Sequence, residues 1–276
     1  MSIPTRTAHD GLELPLIGLG TYGLNGEDGV TSMLSAVESG YRLLDTAVNY
    51  GNEETVGDVI RRSSVARDEL IVATKVPGRH HGFDETMASF EESRRRLGVE
   101  HIDVYLIHWP NPSVNRYIDT WHAMIELAAD GLVGSIGVCN FTQEMIERLG
   151  DATSVLPSVN QVELHPYFSQ AELRAFHEAH GILTQAWSPL GRKSDLLENP
   201  LVADIASAHG VSVTQVVLRW HVQQGIIAIP KSANPERQRQ NLDVFGFELS
   251  DDDMSALATL ERGRIWGADP NTHEEM

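Results

Sequence analysis

Residues 43–53, LLDTAVNYGNE, place an apolar run directly before Asp45 and a tyrosine, Tyr50, five residues after it. A short apolar run bounded by polar residues is typical of a strand buried on both faces of a parallel sheet. The stretch therefore predicts a strand that delivers a carboxylate to its C-terminal end, with the tyrosine on the loop just beyond.

Two further apolar runs end in the same way. LIVATK stops at Lys75, and VYLIH stops at His108. In a parallel barrel the C-terminal ends of the strands share one rim, and barrel enzymes carry their sites on that rim. The sequence therefore predicts that Asp45, Tyr50, Lys75 and His108 converge there.

Strand-like and helix-like segments alternate along the chain, and their number predicts the fold class. Eight such units without a linker predict an α/β protein, a single (β/α)₈ TIM barrel domain over residues 1–276. The strand candidates are 16–20, 41–45, 70–75, 104–108, 135–138, 158–163, 183–187 and 226–230. The helix candidates are 30–39, 53–62, 84–97, 120–129, 143–149, 170–180, a stretch within 200–223, and 235–244.

Two additions to the barrel are expected. The dipeptide Asp10-Gly11 is favoured in hairpin turns, so residues 6–8 and 12–14 predict an N-terminal β-hairpin. Residues 250–262 predict an extra C-terminal helix with an acidic first turn.

Helix-end signals support several of the predicted helices. Asn52 stands directly before Glu53 and is assigned as the N-cap of the helix 53–62. Glycines follow three other helix candidates, as expected where a chain leaves a helix in the left-handed conformation; they are Gly98, Gly131 and Gly181.

Composition narrows the class of protein. The 276 residues carry a formal charge of −18, which would repel nucleic acid and acidic membrane surfaces, so neither is expected as a partner. One cysteine, Cys139, excludes an internal disulfide and fits a reducing compartment. The N-terminal residues lack a secretory pattern, and no apolar run approaches the length of a membrane span. A cytoplasmic protein is expected, and nothing demands more than a monomer.

A glycine pattern offers a competing fold. Gly18, Gly20 and Gly23 match G-x-G-x-x-G after a strand, with Asp45 at a suitable distance to bind a ribose. A Rossmann helix would have to open within the glycines and present free N–H groups to pyrophosphate. Here residues 25–29 intervene with two carboxylates. These two carboxylates therefore favour the barrel over the Rossmann fold.

The four polar groups suit one kind of chemistry. A free tyrosine has a pKa of about 10 and is a poor proton donor at neutral pH. An ammonium such as Lys75 lowers that pKa by stabilising phenolate, and Asp45 keeps the ammonium charged and in place. His108 can orient a carbonyl oxygen beside the phenol. The constellation predicts carbonyl reduction, in which hydride reaches carbon while Tyr50 protonates oxygen.

Three of these residues also have a purely structural interpretation. Asp45 suits a turn or a helix cap, Lys75 suits a structural ion pair with it, and His108 suits a semi-buried position before a Trp-Pro dipeptide. Their joint position on the same end of successive barrel strands favours the functional interpretation.

Seven motifs, in order along the chain, carry a resemblance to a known family. They are DTAVNYGNE, ATK, LIHWP, GVCNF, NQVELHPY, AWSPLG and IPKSANPERQRQN. The chain resembles the aldo-keto reductase superfamily from Gly18 to the C-terminal helix. In its length, Tyr22 and Trp187 it is most similar to the bacterial 2,5-diketo-D-gluconate reductase branch.

The resemblance implies a barrel that binds NADPH across its C-terminal rim and reduces small aldehydes and ketones, including 2,5-diketo-D-gluconate or related dicarbonyls. By position, Asp45, Tyr50, Lys75 and His108 match the catalytic tetrad, with Tyr50 as the acid. The cofactor-binding positions implied are Gly20, Thr21, the carboxamide ligands Asn140 and Gln161, the stacking residue Trp187, the pyrophosphate loop Ser188, Leu190 and Gly191, and the adenosine segment Lys231, Ser232, Arg237, Gln240 and Asn241.

A basic cluster supports the adenosine assignment independently. Lys231, Arg237 and Arg239 lie within nine residues of a chain whose formal charge is −18. A lysine and a guanidinium suit a dianionic 2′-phosphate, which favours NADP over NAD. The alternative interpretation is a solvated helix face.

Two positions depart from the family pattern. Cys139 stands where the family commonly has Ser before the carboxamide-binding Asn, and a thiol is a weaker hydrogen-bond donor than a hydroxyl. Gln240 stands where many members have Glu near the adenine. The departures affect single contacts to the carboxamide and to the adenine amine.

Aromatic residues are expected around the substrate. Tyr22, Trp109 and Trp266 would line a mouth suited to a small polar or mixed carbonyl compound, or would simply pack the rim. Arg192 and Lys193 would attract an acidic substrate or face the cofactor phosphates. Since no long C-terminal extension follows, the resemblance implies an open, promiscuous pocket.

Other classes of protein remain as alternatives. No metal is expected, because His177 and His180 are three residues apart, unlike the four of H-E-x-x-H, and no third ligand is evident. A nicotinamide-cofactor-binding regulatory or interaction subunit with little turnover stays open. A phosphate-binding hydrolase or isomerase barrel also stays open, and it would have no nicotinamide affinity.

Overall fold

The elements alternate between strand and helix along the chain. The computed structural model describes residues 3–192 and 194–276. The strands are β1 (Thr5–Thr7), β2 (Glu13–Pro15), β3 (Leu19–Gly20), β4 (Leu43–Asp45), β5 (Ile71–Val76), β6 (Ile102–Ile107), β7 (Val133–Cys139), β8 (Val159–Glu163), β9 (Leu183–Trp187) and β10 (Ile227–Ala228). The helices are α1 (Gly26–Ser39), α2 (Glu53–Arg62), α3 (Phe83–Leu97), α4 (Tyr117–Ala129), α5 (Gln143–Thr153), α6 (Ala171–Ala179), α7 (Pro200–His209), α8 (Val213–Gln223), α9 (Pro235–Leu242) and α10 (Asp251–Ala258).

Strands β3 to β10 form one parallel sheet in sequence order, and the sheet closes on itself. Ile17 pairs in parallel with Ala228 across the seam. The amide of Gly18 donates to the Ala228 carbonyl over 2.9 Å, and the Ala228 amide donates to the Leu16 carbonyl over 2.9 Å. The predicted (β/α)₈ barrel is confirmed, and the Rossmann alternative is wrong. The predicted N-terminal hairpin is also present as β1 paired with β2.

Apolar strand residues explain why the sheet curls around a core. All five residues of β8 and five of the six residues of β5 are buried. Large side chains between the strands and the outer helices are fully buried as well, among them Trp121, Tyr41 and Tyr105. Removing one such side chain from water stabilises the fold by about 1.5–3 kcal/mol.

Strand register brings the polar strand ends together. Gly20 pairs with Asp45, and Asp45 pairs with Ala73, two residues before Lys75. On the other side Cys139 pairs with Gln161. Because neighbouring parallel strands end at the same level, side chains from several strands meet at one rim.

The structure corrects three local predictions. Helix α1 begins at Gly26, so residues 25–29 are its cap and first turn and not an intervening loop. The stretch 200–223 is two helices, because Gly210 adopts a φ of 67° and Ser212 starts α8 with a capping box. Asn52 precedes α2, but its side chain makes no capping hydrogen bond there.

Among the described residues, no single helix is long and apolar enough to cross a membrane. The pair α7 and α8 meets the length and composition conditions only jointly and is bent by 87°.

Candidate active site

A buried ion pair forms the floor of the site. Asp45 ends β4 and Lys75 lies near the end of β5. The Lys75 ammonium donates to Oδ1 of Asp45 over 2.7 Å and to the Thr46 carbonyl over 2.8 Å. The two side chains are 0 and 4% exposed. Water therefore contributes almost nothing to the solvation of either charge.

The charges of this pair stabilise each other. Burial by itself would lower the pKa of Lys75, but the adjacent Asp45 carboxylate together with the nearby Tyr50 and Cys139 groups outweighs it, so the pKa of Lys75 lies above its ordinary value. Gln161 donates to the second oxygen of Asp45 over 2.7 Å. Both oxygens of the carboxylate are thus paired, and the ammonium keeps its proton at neutral pH.

Tyr50 lies above the ion pair. It ends a single 3₁₀ turn, Val48–Tyr50, and its ring centroid is 5.0 Å from Nζ of Lys75 and 5.7 Å from the ring of His108. Burial raises the pKa of Tyr50 to about 12, although the Lys75 ammonium acts in the opposite direction. The ammonium thus acts on this pKa in the direction that the sequence predicted, and burial outweighs it. The phenol holds its proton firmly at neutral pH.

His108 directly follows β6 and completes the group of four residues. Its side chain is 12% exposed, and Nδ1 lies 2.7 Å from Oε1 of Glu275. The structure therefore brings together all four residues that the sequence singled out at the strand ends.

A second polar network behind these residues was missed. Thr46 donates to Oδ1 of Asn52 over 2.7 Å, and Nδ2 of Asn52 donates to the Thr21 and Leu24 carbonyls over 2.8 and 3.1 Å. The Thr21 hydroxyl donates to the Asp45 carbonyl over 2.9 Å. Asn52 is fully buried and ties the loop between β3 and α1 to the end of β4. Its place within the stretch 43–53 was its signal in the sequence.

Glu53 is a second missed residue. Its carboxylate accepts a hydrogen bond from Thr74 over 2.6 Å and one from Arg96 over 2.7 Å. It is 2% exposed although it occupies the first position of α2. The start of α2 is thereby fixed to β5 directly beside Lys75.

The expected carboxamide ligands lie on the other side of the rim. Asn140 follows β7 with a φ of 63° and donates to the His108 carbonyl over 3.1 Å. Trp187 ends β9 and donates from its indole nitrogen to Oδ1 of Asn140 over 2.8 Å. Gln161 also donates to Gln185 over 2.8 Å. Asn140, Gln161 and Trp187 are therefore held in the hydrogen-bond network of the site.

The expected pyrophosphate loop is a tight turn. The Gly191 amide donates to the Ser188 carbonyl over 2.9 Å, and the two residues have φ values of 61° and 48°. A Cβ at Gly191 would lie 2.8 Å from the Ser194 hydroxyl oxygen, so only glycine fits. Leu190 between them packs on the core. Lys193 lies outside the described residues.

Gly20 and Thr21 both lie at the rim, but Gly20 allows a close backbone approach whereas Thr21 makes a hydrogen bond. A Cβ at Gly20 would approach the Ile229 carbonyl oxygen to 3.2 Å. Thr21 is fully buried, and its hydroxyl is used by the Asp45 carbonyl. Gly20 thus keeps the backbone close to the end of β10, and Thr21 has a structural hydrogen bond.

The basic cluster Lys231, Arg237 and Arg239 is exposed. Throughout residues 3–192 and 194–276, none of the three side chains has an ion-pair partner. Gln240 is exposed beside them, whereas Asn241 is 3% exposed. The cations are accessible to an anion from solvent.

Buried groups hold this segment in place. Ser232 donates to the Asn234 carbonyl over 3.3 Å, and Asn234 caps α9 by accepting from the Arg237 amide over 3.0 Å. Gln238, which the sequence did not indicate, is fully buried and donates to the carbonyls of Ser32 and Ser232 over 3.0 and 2.9 Å. The cluster is therefore anchored to α1.

Aromatic rings lie beside Tyr50 and Trp187. The Tyr22 ring lies 5.2 Å from the Tyr50 ring and is 53% exposed, so it forms part of an outer edge. Trp187 lies 6.5 Å from Trp109 and 5.8 Å from Trp266. Tyr22 thus borders Tyr50, whereas Trp109 and Trp266 border Trp187. The Arg192 guanidinium is 5.4 Å from the Tyr22 ring and 5.5 Å from the Trp266 ring.

Residues 273–276, which we call the tail, lie across this mouth. The His273 ring is 4.2 Å from Trp109, and Glu275 reaches His108. Asn111 donates to the Glu275 carbonyl over 2.5 Å, in a space that a Cβ at Gly78 would fill. The expectation of an open pocket is therefore wrong on the His108 side.

Within the described residues no group of three or more His, Cys, Asp or Glu side chains is placed to hold a metal ion. His177 is fully buried, 2.9 Å from the Thr184 hydroxyl and 3.1 Å from the Asn160 amide. His180 bonds instead to the Phe176 carbonyl over 2.8 Å. The two histidines have separate structural contacts.

Comparison with known proteins places the chain in a family. The aldo/keto reductase family model matches residues 16–262. The chain is 59% identical over 275 residues to 2,5-diketo-D-gluconic acid reductase B of Corynebacterium sp. (strain SHS752001), covering 100% of this chain and 99% of that one. It is 44% identical over 280 residues to morphine 6-dehydrogenase of Pseudomonas putida, covering 97 and 94%.

A solved structure agrees with this assignment. A Gox0644 variant in complex with NADPH matches with a TM-score of 0.94 and 45% identity, covering 99% of this chain and 100% of that one. The barrel, the strand-end residues and these matches lead to one conclusion: the chain belongs to the aldo/keto reductase family.

Proposed function

We propose that this chain reduces small aldehydes and ketones to alcohols with NADPH, and that Tyr50 gives the proton to the carbonyl oxygen. The observation that carries the proposal is the buried Lys75–Asp45 ion pair beneath the Tyr50 ring. A buried ion pair is no better for stability than apolar packing, so its place under a phenol at the rim favours a chemical role.

Proton transfer uses the two charges in sequence. Because the pKa of Tyr50 is about 12, the phenol is protonated before reaction. As negative charge develops on the substrate oxygen, Tyr50 donates its proton, and the Lys75 ammonium stabilises the resulting phenolate. Asp45 keeps Lys75 in place, and His108 orients the carbonyl oxygen. Solvent then returns a proton to Tyr50.

The rim suits a nicotinamide cofactor. Asn140 and Gln161 offer amide groups for a carboxamide, and the Trp187 ring is oriented by its bond to Asn140. The accessible cations Lys231 and Arg237 suit a 2′-phosphate, which favours NADPH over NADH. Bound NADPH supplies the hydride that reaches the carbonyl carbon. Ser188, Leu190 and Gly191 would hold its pyrophosphate, and Gly20, Thr21, Ser232, Gln240 and Asn241 would border it.

The proposed substrates are 2,5-diketo-D-gluconate or related dicarbonyl compounds. The relative at 59% identity is named for that activity. The aromatic rings of Tyr22, Trp109 and Trp266 suit a compact substrate with apolar and polar faces. The second relative is named morphine 6-dehydrogenase, which supports a range of carbonyl partners for this pocket.

We also propose that residues 1–276 act as one domain, a cytoplasmic monomer. Cys139 is the one cysteine of the sequence and is buried, which suits a reducing compartment. The large apolar side chains exposed among the described residues are Tyr22, Trp266 and Met276, too few for a broad association surface. Light scattering coupled to gel filtration tests the monomer, and a dimer mass contradicts it.

The decisive experiment follows NADPH absorbance with a panel of aldehydes and diketones for the wild type and for Tyr50→Phe. The expected result is turnover that falls by about a hundredfold or more in the variant, since a general acid contributes roughly 10²–10⁴-fold. Comparable activity in the variant rules out Tyr50 as the acid. Tight NADPH binding without turnover, seen as quenched tryptophan fluorescence, indicates the regulatory subunit, and no binding at all indicates a hydrolase or isomerase.

A further inference from the structure

The Glu275 carboxylate lies inside the candidate active site. Its Oε1 accepts a hydrogen bond from Nδ2 of Asn49 over 2.7 Å and lies 2.7 Å from Nδ1 of His108. Nδ2 of Asn49 also donates to the Met276 carbonyl over 3.3 Å. An acidic side chain of the tail is thus bound where His108 faces the pocket.

Asn49 is oriented for this contact by Arg79. The Arg79 guanidinium donates to Oδ1 of Asn49, so the Asn49 amide must present its N–H₂ group to the carboxylate. Arg79 is itself exposed at the edge of the pocket. The two residues therefore supply a fixed donor and a positive charge next to His108.

These groups favour a negative charge at this position. Burial opposes ionisation of Glu275, but the His108 and Asn49 contacts and the Arg79 charge outweigh it, so the pKa of Glu275 lies below its ordinary value. A carboxylate that stays ionised while buried indicates surroundings arranged for an anion.

The tail fits its surroundings incompletely. Six buried polar atoms in this region have no partner with hydrogen-bond geometry among residues 3–192 and 194–276: Nδ1 of His108, Nδ1 and Nε2 of His81, Oδ1 of Asn111, Oε2 of Glu274 and Oε2 of Glu275. Buried polar groups without partners destabilise the arrangement that contains them. Asn49 thus binds one oxygen of the Glu275 carboxylate, whereas the other oxygen and the segment that carries it are poorly matched.

We propose that Asn49 and Arg79 form a carboxylate-binding subsite beside His108, that Glu275 occupies it in the resting chain, and that a carbonyl substrate bearing a carboxylate displaces Glu275. The inference rests on the proposed function in one respect: the substrate oxygen is taken to bind at Tyr50 and His108. According to this inference the substrates are carbonyl compounds that carry a carboxylate, and Glu275 competes with that carboxylate for the subsite.

Benzoate, a carboxylate that cannot be reduced, tests the subsite. Its inhibition constant is measured against methyl 4-formylbenzoate, a neutral aldehyde, in the presence of NADPH. Arg79→Met is expected to weaken benzoate inhibition by about tenfold, because the subsite loses its cation. Glu275→Gln is expected to strengthen inhibition by about tenfold, because the charged competitor is gone; each change equals ~1.4 kcal/mol.

Matched variants control for net charge. Arg95→Met removes an exposed arginine of α3, and Glu274→Gln removes the neighbouring acid, whose carboxylate accepts from the Ser113 amide instead. Both are expected to leave the inhibition constant unchanged. In the wild type, kcat/KM for 4-formylbenzoate is expected to exceed that for its methyl ester, and Arg79→Met is expected to reduce that ratio by about tenfold.

The outcomes separate this proposal from the proposed function. If the neutral aldehyde is reduced but Arg79→Met and Glu275→Gln leave benzoate inhibition unchanged, the subsite is wrong and the reductase stands. If no aldehyde is reduced, the reductase fails, and benzoate binding followed by tryptophan fluorescence still decides the subsite. The opposite shifts in the two variants then support it, and equal affinities overturn it.

Discussion

Gln161 donates a hydrogen bond to Oδ2 of Asp45 over 2.7 Å, and Lys75 donates one to Oδ1 of the same carboxylate over 2.7 Å. A residue expected to bind cofactor and a residue expected to support proton transfer therefore share one buried anion. Asp45 therefore links the cofactor side of the site to the proton-transfer side, so substitutions of this carboxylate are expected to affect both cofactor binding and proton transfer.

Asp45→Asn is expected to destabilise the fold and slow the reaction. It leaves the buried Lys75 cation without its counter-charge, and breaking a buried ion pair from one side costs about 3–5 kcal/mol. Urea unfolding and kcat are the measurements. The control Asp58→Asn breaks the exposed pair with Arg61 and is expected to cost at most about 1 kcal/mol. Equal losses of stability in both variants contradict the interpretation.

Tyr50 is expected to ionise only in strongly alkaline solution. Its pKa is raised to about 12, so the acid form persists throughout the neutral range, and loss of the Tyr50 proton does not limit the rate there. Phenolate absorbance is titrated in the wild type, and the curve of Tyr50→Phe is subtracted. Lys75→Met is expected to move the difference curve to still higher pH, since the ammonium favours phenolate. A difference curve centred below the ordinary value of about 10 contradicts the prediction.

Arg237→Ala is expected to reduce the preference for NADPH over NADH. A charge-assisted hydrogen bond to the 2′-phosphate contributes roughly 1.5–3 kcal/mol, so the ratio of the two kcat/KM values is expected to fall by at least about tenfold. Arg95→Ala, another exposed arginine, serves as the matched control. An unchanged ratio in Arg237→Ala means that Arg237 does not recognise the phosphate.

Asn52→Ala is expected to lower the melting temperature and the turnover together. It removes the acceptor of the Thr46 hydroxyl and the donor to two buried carbonyls, each worth about 1–3 kcal/mol when left unpaired. Asn25→Ala is the control, because Asn25 precedes α1 without a side-chain capping bond. A similar small effect at both positions shows that the Asn52 network is dispensable.

Stability is expected to fall on mild acidification. Burial lowers the pKa of His177 to about 3 and the pKa values of His81 and His221 to about 4, so these rings are neutral in the folded chain. In the unfolded chain they bind protons below about pH 6.5, which means that stability is lost as pH falls below that value. Melting temperatures at several pH values test this, and His177→Asn is expected to flatten the decline. His101→Asn, at an exposed position, is expected to leave it unchanged.

The spacing of apolar residues predicted strands and helices well wherever a segment had either an apolar run or helical spacing alone. Strand β9 and helix α2 have the bounds that the sequence predicted, because apolar runs and helical spacing are local signals. Lys75 and His108 could be placed on the rim because each follows such a run. The start of α1 was missed, since glycines and acids at 26–29 suit both a loop and a first turn.

The side-chain networks could not be predicted in the same way. An asparagine before a helix is suited both to capping and to bridging buried loops, and only the fold decides that Asn52 bridges. The tail has no apolar period, so its contact with His108 has no local signal. The basic cluster was visible from composition, but the burial of Gln238 behind it was not.

The tail can lie where it does because residue 78 is a glycine and has no side chain. A Cβ there would collide with the Asn111 side chain and with the Glu275 carbonyl, although the backbone at residue 78 needs no left-handed conformation. Alanine at this position therefore requires both the buried Asn111 side chain and the tail to move from where they now lie. The added methyl group would displace the tail and so uncover the mouth of the site, without a substitution in the tail itself.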